Sequence, residues 1–184
     1  TTTALNKLST TQFGALSTTQ VQGLTAAQLN GLTAPNIDAL TLTKLSTPQL
    51  TALNATSIGN LTTTQVGALT ATQVGVLTAT QIGALTSTEI QAFTTTQANA
   101  LTATQLGGLT TTAANKLSTP QITALSTTQV QGLTVAQLNG LTTPNLDAVT
   151  LTKLSTAQVA GLSTTAITNL TTTQVGTLVA TQVA

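Results

Sequence analysis

Aliphatic residues recur along the chain with a period of eight. From Leu8 the sequence reads LSTTQFGA, LSTTQVQG, LTAAQLNG and LTAPNIDA, and it contains 21 such octads. We number the places of an octad from first to eighth. The first is leucine except at Phe93, the second is nearly always Ser or Thr, the fifth is usually Gln and the sixth is usually Val, Ile or Leu. A period this short predicts a repeat architecture in which each unit contacts only its neighbours.

The polar places of the octad predict a short helix. Ser or Thr followed three residues later by Gln is a capping box, in which the hydroxyl and the glutamine satisfy each other's backbone N–H groups. Thr62 with Gln65 and Thr70 with Gln73 are two such pairs. All four prolines occupy the fourth place, in the first helical turn, where the missing N–H costs nothing. Each octad therefore predicts a helix of under two turns.

A helix of this length cannot form alone, because nucleation is too costly. The sixth residue and the next leucine are three apart and share one helix face, so stacking of octads buries both. We therefore predict a solenoid of short α-helices, one per octad, as a single repeat array over residues 1–184. Its core is represented by Leu61, Val66, Leu69, Val74, Leu77, Ile82 and Leu85.

A β-solenoid is the alternative fold. Thr, Val and Ile favour strands, and the seventh place is often Gly, as at Gly67 and Gly75, which weakens a helix interior. Sixteen or 24 residues would then make one turn. Against it, Leu61 and Val66 would lie on opposite faces of a strand.

A longer repeat is superposed on the octads. Two five-residue interruptions, at 40–44 and 149–153, lie 109 residues apart, and residues 8–75 match residues 117–184 at 50 of 68 positions. We expect the pentads to change the phase of the array and to mark a bend or a junction, with Lys44 and Lys153 as solvated residues. Neither end of the sequence carries the polar, atypical cap that solenoids need for solubility. We therefore expect either an excerpt of a longer chain or ends that meet other copies.

Composition argues against catalysis. The chain has no His and no Cys, four lysines, three acidic residues and no Arg, so imidazole bases, thiol nucleophiles and thiolate metal sites are excluded. We predict no enzyme activity, no catalytic, cofactor-binding or metal-binding residues, and no cofactor. We interpret Asp38 and Asp147 as surface or capping groups. The net charge of +1 also argues against nucleic acid as a partner, and no apolar run is long enough to span a membrane.

Threonine at the fourth place offers a second function. If the octads stack, residues such as Thr64, Thr72 and Thr80 form rows of hydroxyl and methyl groups. Such rows resemble the flat threonine arrays of ice-binding proteins, and they also suit carbohydrate recognition or O-linked glycans. The alternative function is thus a surface-binding module, while the simpler interpretation makes these residues fillers beside the capping threonines.

Runs such as LTTTQVGALTATQVGVLTATQIGAL resemble the Leu-Thr-x-x-Gln-Val tracts of very large bacterial secreted or surface proteins, often described as adhesins or matrix proteins. The resemblance implies an extracellular or cell-surface location and a role as spacer, fibre, sheath or adhesin stalk. It implies self-association into a fibre or continuation of a longer chain, and it transfers no functional residue.

Overall fold

The computed structural model describes residues 1–183. It divides into two compact units, the first ending at Phe93 and the second beginning at Thr94. Throughout residues 1–183 every regular element is a helix of three to six residues, and no strand is present. The fold is therefore a solenoid of short helices, as predicted, and the β-solenoid alternative is wrong. Leucine recurs once per octad, and the leucine side chains pack together in the interior. This arrangement does not need side chains that alternate between the two faces of a strand.

In the first unit the helices are α1 Thr2–Leu5, α2 Thr10–Gly14, α3 Thr18–Gln22, α4 Ala26–Asn30, α5 Ala34–Asp38, the 3₁₀ helix η1 Leu42–Lys44, α6 Thr47–Thr51, α7 Ala55–Gly59, α8 Thr63–Gly67, α9 Ala71–Val76, α10 Ala79–Ala84 and α11 Ser87–Gln91. In the second unit they are α12 Thr95–Asn99, α13 Ala103–Gly107, α14 Thr111–Ala114, α15 Thr119–Ala124, α16 Thr127–Gly132, α17 Val135–Asn139, α18 Thr143–Asp147, the 3₁₀ helix η2 Leu151–Lys153, α19 Thr156–Ala160, α20 Thr164–Thr168, α21 Thr172–Gly176 and α22 Ala180–Val183.

The octad sequence sets where each α-helix begins. The second-place residue has extended backbone and caps the helix that follows it, as Thr62 does for α8. The prolines lie in the first turn, for example Pro48 in α6. The first-place leucine then follows the helix with extended backbone, as Leu77 and Leu85 do. Because the next cap comes at once, no helix grows beyond two turns.

Helices three elements apart stack on one another. In the first unit α10 packs on α7, α11 on α8 and α9 on α6, and in the second unit α15 packs on α12 and α16 on α13. One turn of the solenoid therefore comprises three elements. The aliphatic residues of the first and sixth places fill its interior, so each turn covers the core of the turn before it.

Each pentad supplies one complete element in this count. It keeps a buried first residue, Leu40 or Val149, and a second buried leucine, Leu42 or Leu151, and it lacks the residues of the third to fifth places. Its 3₁₀ helix stacks three elements back, η1 on α3 and η2 on α16. The pentads therefore preserve the three-element turn, while the expected change of phase, with its bend or junction, stays a prediction. The division between the two units also falls outside both of them.

Small residues at the seventh and eighth places allow backbones of adjacent turns to approach closely. A Cβ added at Gly59 or Gly67 would lie 3.6 or 3.5 Å from the carbonyl oxygen of an alanine in the next turn, Ala84 or Ala92. At Gly107 the added Cβ would lie 2.5 Å from the backbone oxygen of Gly132. Packing between turns therefore requires glycine at Gly107, whereas at Gly59 and Gly67 an added Cβ would make an ordinary van der Waals contact.

Candidate functional surfaces

The predicted core residues of the central octads lie in the interior of the first unit. Their side chains are all buried: Leu61, Val66, Leu69, Val74, Leu77, Ile82 and Leu85. The caps beside them form complete capping boxes. The Thr62 hydroxyl accepts a hydrogen bond from the Gln65 N–H at 3.2 Å, and the Gln65 Oε1 accepts one from the Thr62 N–H at 2.9 Å. Thr70 and Gln73 repeat this geometry.

The fifth-place glutamine has a second role that sequence reasoning missed. While Oε1 of Gln81 closes its own capping box, its Nε2 donates to the carbonyl oxygens of Leu50 and Leu53 in the preceding turn, at 2.8 and 2.7 Å. One amide thus joins a helix start to the preceding turn. Seven further glutamines donate to two or more backbone carbonyls in the same way: Gln49, Gln65, Gln73, Gln129, Gln137, Gln158 and Gln182.

Lysine replaces glutamine in the pentads. Lys44 Nζ donates to the carbonyl oxygens of Leu16 and Gly14, and Lys153 Nζ to those of Leu125 and Thr123. These are the first and seventh places of preceding elements, where glutamine amides also bind. Both lysines are half-buried, so they are joint residues bound to the preceding turn and not the solvated groups expected. Lys44 and Lys153 both lie in pentads, which lack the place that glutamine occupies in an octad. This was the sequence signal for their role.

In several octads that lack the fifth-place glutamine, an asparagine of the preceding turn accepts the hydrogen bond of the cap N–H group. The octads of Thr33 and Asn54 have Asn or Ser at the fifth place. Their cap N–H groups instead donate to the Oδ1 atoms of Asn6 and Asn30, at 3.0 and 2.8 Å, from the preceding turn. In the second unit Asn115 and Asn139 accept from Thr142 and Ser163 equivalently. The spacing between each asparagine and a glutamine-free octad could have revealed this exchange.

Glu89 is the one acidic residue at a glutamine place, and it is buried. Its Oε2 accepts from the Thr86 N–H at 2.7 Å and so closes the capping box of α11. By the spacing seen at Gln81, the carbonyls that a glutamine at this position would reach are those of Ile58 and Leu61. A carboxylate cannot donate to them, so this site lacks the link to the preceding turn that a glutamine amide makes.

The fourth-place threonines are exposed but do not form the row that the sequence suggested. Thr64, Thr72 and Thr80 belong to α8, α9 and α10, which are consecutive helices on three different stacks. The residue stacked with Thr80 is Thr56 of α7, because α7 and α10 are in contact. Fourth-place threonines can therefore neighbour one another only in octads three elements apart, and the prolines at this place, such as Pro48 in α6 opposite Thr72 in α9, interrupt such a row.

Two shallow hollows lie beside the pentads at equivalent positions of the 109-residue repeat. One, of about 230 Å³, is lined by Asp38, Thr41, Thr43 and Thr64, among others. The other, of about 270 Å³, is lined by the equivalent residues around Asp147. Both aspartates are exposed, consistent with the surface role expected for them. The hollows arise because a pentad lacks three residues of an octad.

Other chemistry-bearing groups are sparse among residues 1–183. No three His, Cys, Asp or Glu side chains come together there in a way that could hold a metal ion. Across the same residues, no helix has the length and apolar character needed to cross a membrane. The surface that the fold repeats is therefore that of the helix stacks with their threonines.

The repeated helix, cap and inter-turn link define a tandem repeat tract of helical solenoid type. The ALTTAQ repeat family matches this chain at residues 7–42, 42–79 and 59–87. These matches lie within the first unit and cover the octads described above. Comparison with curated proteins gives no significant match. Comparison with solved structures likewise gives none.

Proposed function

We propose that this chain is a structural repeat protein of the cell exterior, without catalytic activity, that serves as a filament, sheath or adhesin stalk. The observation that carries the proposal is the repeated link between turns. Glutamine amides such as that of Gln81 join their own helix start to the preceding turn. A chain built this way gains contacts in proportion to its length, which suits an extended spacer.

The surface supports an exposed, extracellular role. It is formed mainly by Thr, Ser, Gln and Ala side chains, and only seven side chains of the chain carry a formal charge. Such a surface changes little with salt, and hydroxyl groups keep it hydrated. The resemblance to Leu-Thr-x-x-Gln-Val tracts of bacterial surface proteins supports the same location, and self-association or glycans are the partners that it suggests.

Immunogold labelling of intact cells that produce the protein tests this function. Label on the surface of unpermeabilised cells, lost after brief treatment with external protease, is the expected result. Label that appears only after permeabilisation contradicts an exterior role. Negative-stain imaging of the extracted material then distinguishes a filament or sheath from an isolated stalk.

A surface-binding module is the second candidate, and the stacking of Thr56 and Thr80 favours it. Both side chains are exposed, and their helices are in contact, so the two threonines lie on one stack. Substitution of both by Tyr should abolish thermal hysteresis or carbohydrate binding if the row is the binding surface. The pair Thr64 and Thr72, on two different stacks, provides the control substitution, and equal effects of both pairs would contradict this function.

A further inference from the structure

The hollows beside the two pentads are the places where the chain carries aspartate. Asp38 and Asp147 occupy the seventh place of the octad before each pentad, and the sequence has no other aspartate. From the groups that line these hollows we propose that each hollow binds one ring of a neutral sugar. The proposal rests on carbohydrate recognition, the second candidate function, and gives it a site other than the stacked pair Thr56 and Thr80.

The aspartates have no stabilising role that explains their presence. Asp38 is the last residue of α5, and Asp147 is the last residue of α18. A negative charge at this end of a helix is unfavourable, because the last carbonyl oxygens carry partial negative charge. Both side chains are exposed, and no hydrogen bond or ion pair within residues 1–183 involves either carboxylate. A residue that breaks a local rule without a compensating contact is typical of a functional site.

Three threonine hydroxyls accompany the carboxylate in the first hollow. Thr41 and Thr43 belong to the pentad segment and Thr64 to α8, and all three line the hollow with Asp38. They are exposed, and their hydroxyls make no hydrogen bond to any other residue of the described chain. A carboxylate only accepts hydrogen bonds, whereas a hydroxyl both donates and accepts. The set therefore suits a ligand that itself carries several hydroxyl groups.

The remaining lining favours a sugar ring over an ion. It is largely aliphatic and includes Ala39, Leu40, Leu42 and Ala68, which suit the C–H groups on the face of a ring. Hard cations such as Ca²⁺ take six to eight oxygen ligands, often several carboxylates, and each hollow offers one carboxylate, which also repels anions. The volume of about 230 Å³ corresponds to roughly eight water molecules at about 30 Å³ each. It therefore has room for one ring and falls short of the pockets of about 300–1,000 Å³ that hold larger ligands.

The second unit repeats the polar groups of the first hollow. Asp147, Thr150 and Thr173 line the hollow of about 270 Å³ there, and each lies 109 positions after its counterpart in the first hollow. The aliphatic lining changes between the copies, with Val149 in the place of Leu40. Each hollow is formed within its own unit, between a pentad and the helix of the following turn. The chain therefore offers two sites of the same polar chemistry.

Selective ¹³C labelling of the aspartate carboxyl groups tests the proposal on the whole chain. Because the sequence contains two aspartates, the NMR spectrum should show one signal for each hollow, assigned by Asp38→Ala and Asp147→Ala. The chain is titrated with D-glucose, D-galactose and D-mannose in the presence of EDTA. Both signals should shift and saturate with at least one of these sugars, with a Kd of about 1–10 mM, as expected for an open site that holds one ring. Glycerol, which has hydroxyl groups but no ring, should give no saturable shift.

Thr64→Tyr places a large side chain in the first hollow and leaves its aspartate intact. The Asp38 signal should then stop responding to the sugar, while the Asp147 signal responds as before and serves as an internal control. Thr72→Tyr is the matched control, since Thr72 is exposed at the same octad place on another stack, and both signals should keep responding. Far-UV circular dichroism checks that each variant keeps the helical fold.

The double variant Asp38→Ala with Asp147→Ala separates a binding role from a structural one. Saturation-transfer NMR should show that its sugar binding is lost. Its thermal midpoint should be unchanged or higher, because no contact within the chain is removed and two unfavourable charges at helix ends disappear. A lower midpoint would assign the aspartates to the fold and overturn the proposal.

Other outcomes would also overturn it. These are carboxyl signals that do not respond to any of the three sugars, an equal response to glycerol, and a saturable response to CaCl₂, which would assign the hollows to a cation. Binding that is lost in Thr56→Tyr with Thr80→Tyr but kept in Thr64→Tyr would assign sugar recognition to the stacked pair. The reverse result would assign it to the hollows. None of these results bears on cell-surface labelling, so failure of this site is distinguishable from failure of the proposed structural role.

Discussion

At the scale of the residue, glutamine is efficient because its amide has an acceptor and a donor that point in different directions. The acceptor serves the helix start in the same octad, and the donor serves the preceding turn. Backbone groups left buried and unpaired cost more free energy than a hydrogen bond contributes. Substitutions at this place that keep only the acceptor or only the donor should therefore change the free energy of unfolding measurably.

Glu89→Gln should stabilise the chain and Gln81→Glu should destabilise it. The first change restores a donor toward the carbonyls of Ile58 and Leu61, and should raise the free energy of unfolding by about 1 kcal/mol. The second removes two short hydrogen bonds, at 2.8 and 2.7 Å, and should lower it by about 1–3 kcal/mol. Urea denaturation followed by circular dichroism measures both. Changes of the same sign in the free energy of unfolding would contradict the double role of the fifth place.

Gly107→Ala should destabilise the second unit, while the matched change Gly176→Ala should not. Both glycines occupy the seventh place, but the Cβ at Gly107 would lie 2.5 Å from the Gly132 backbone oxygen, and that at Gly176 meets nothing within 4 Å. Overpacking of this kind costs about 1–3 kcal/mol, whereas Ala favours an exposed helix by up to about 1 kcal/mol relative to Gly. Thermal denaturation at low protein concentration gives the comparison. Equal loss at both sites would mean that backbone conformation, and not packing, selects glycine.

At the scale of the element, a helix of five residues and a five-residue pentad are equivalent because both complete one third of a turn. What each needs is a buried aliphatic pair and a donor toward the preceding turn. The pentad of residues 40–44 supplies them through Leu40, Leu42 and Lys44. Elements of different length can therefore follow one another without loss of stacking.

Lys153→Ala should weaken the second unit through the loss of this donor. Its Nζ binds the carbonyl oxygens of Leu125 and Thr123, and hydrogen bonds to charged groups contribute about 1.5–3 kcal/mol. Lys7→Ala is the matched control, since the Lys7 side chain is exposed and its removal should change stability by less than about 0.5 kcal/mol. Chemical denaturation of the two variants decides. If Lys153→Ala leaves the free energy of unfolding unchanged, the solvated role expected from the sequence is correct.

A peptide of residues 61–76, two octads with complete caps, should be unfolded in water. Helix nucleation is unfavourable, and helices shorter than about 12–15 residues are marginal even in alanine-rich peptides. Far-UV circular dichroism of the peptide should show a coil spectrum, while the whole chain gives a helical one. A helical, monomeric peptide would show that the octad does not depend on stacking.

At the scale of the whole molecule, stability comes from many copies of one contact and hardly from charge. The chain holds four lysines and three acidic residues among 184. Screening by salt acts on pairs of charges and weakens with their number and separation. A chain with so few charges should respond to ionic strength less than an ordinary domain does.

The thermal midpoint should therefore shift by no more than about 2 °C when NaCl rises from low to physiological concentration, which corresponds to less than about 1 kcal/mol. Differential scanning calorimetry of the whole chain measures this. A variant with Thr56→Glu and Thr80→Glu places like charges on the stacked helices α7 and α10, and its midpoint should rise with salt. A large shift in the unchanged chain would point to electrostatic contributions that the composition does not suggest.

The sequence by itself determined the elements of this protein, because their causes are local. Ser or Thr at the second place, Gln three residues later and Pro only in the first turn specify where each helix begins. The leucine and its sixth-place partner specify which face is buried. The equivalent contacts of Lys44 and Lys153 follow the 109-residue repeat, which already relates the two pentads in the sequence.

Only the tertiary structure decided which octads meet, because every octad presents nearly the same face and its period is compatible with several numbers of elements per turn. The choice of three puts Thr80 on the stack of Thr56 rather than on that of Thr72. It aims the Gln81 amide at carbonyls 28 and 31 residues earlier, and the Gln65 amide, whose turn includes a pentad, at carbonyls 28 and 25 residues earlier. It also brings Lys44 Nζ within hydrogen-bond distance of a carbonyl oxygen in the preceding turn. These relations join residues distant in sequence, and their physical reason is the pairing of buried donors with acceptors that only the assembled turns bring together.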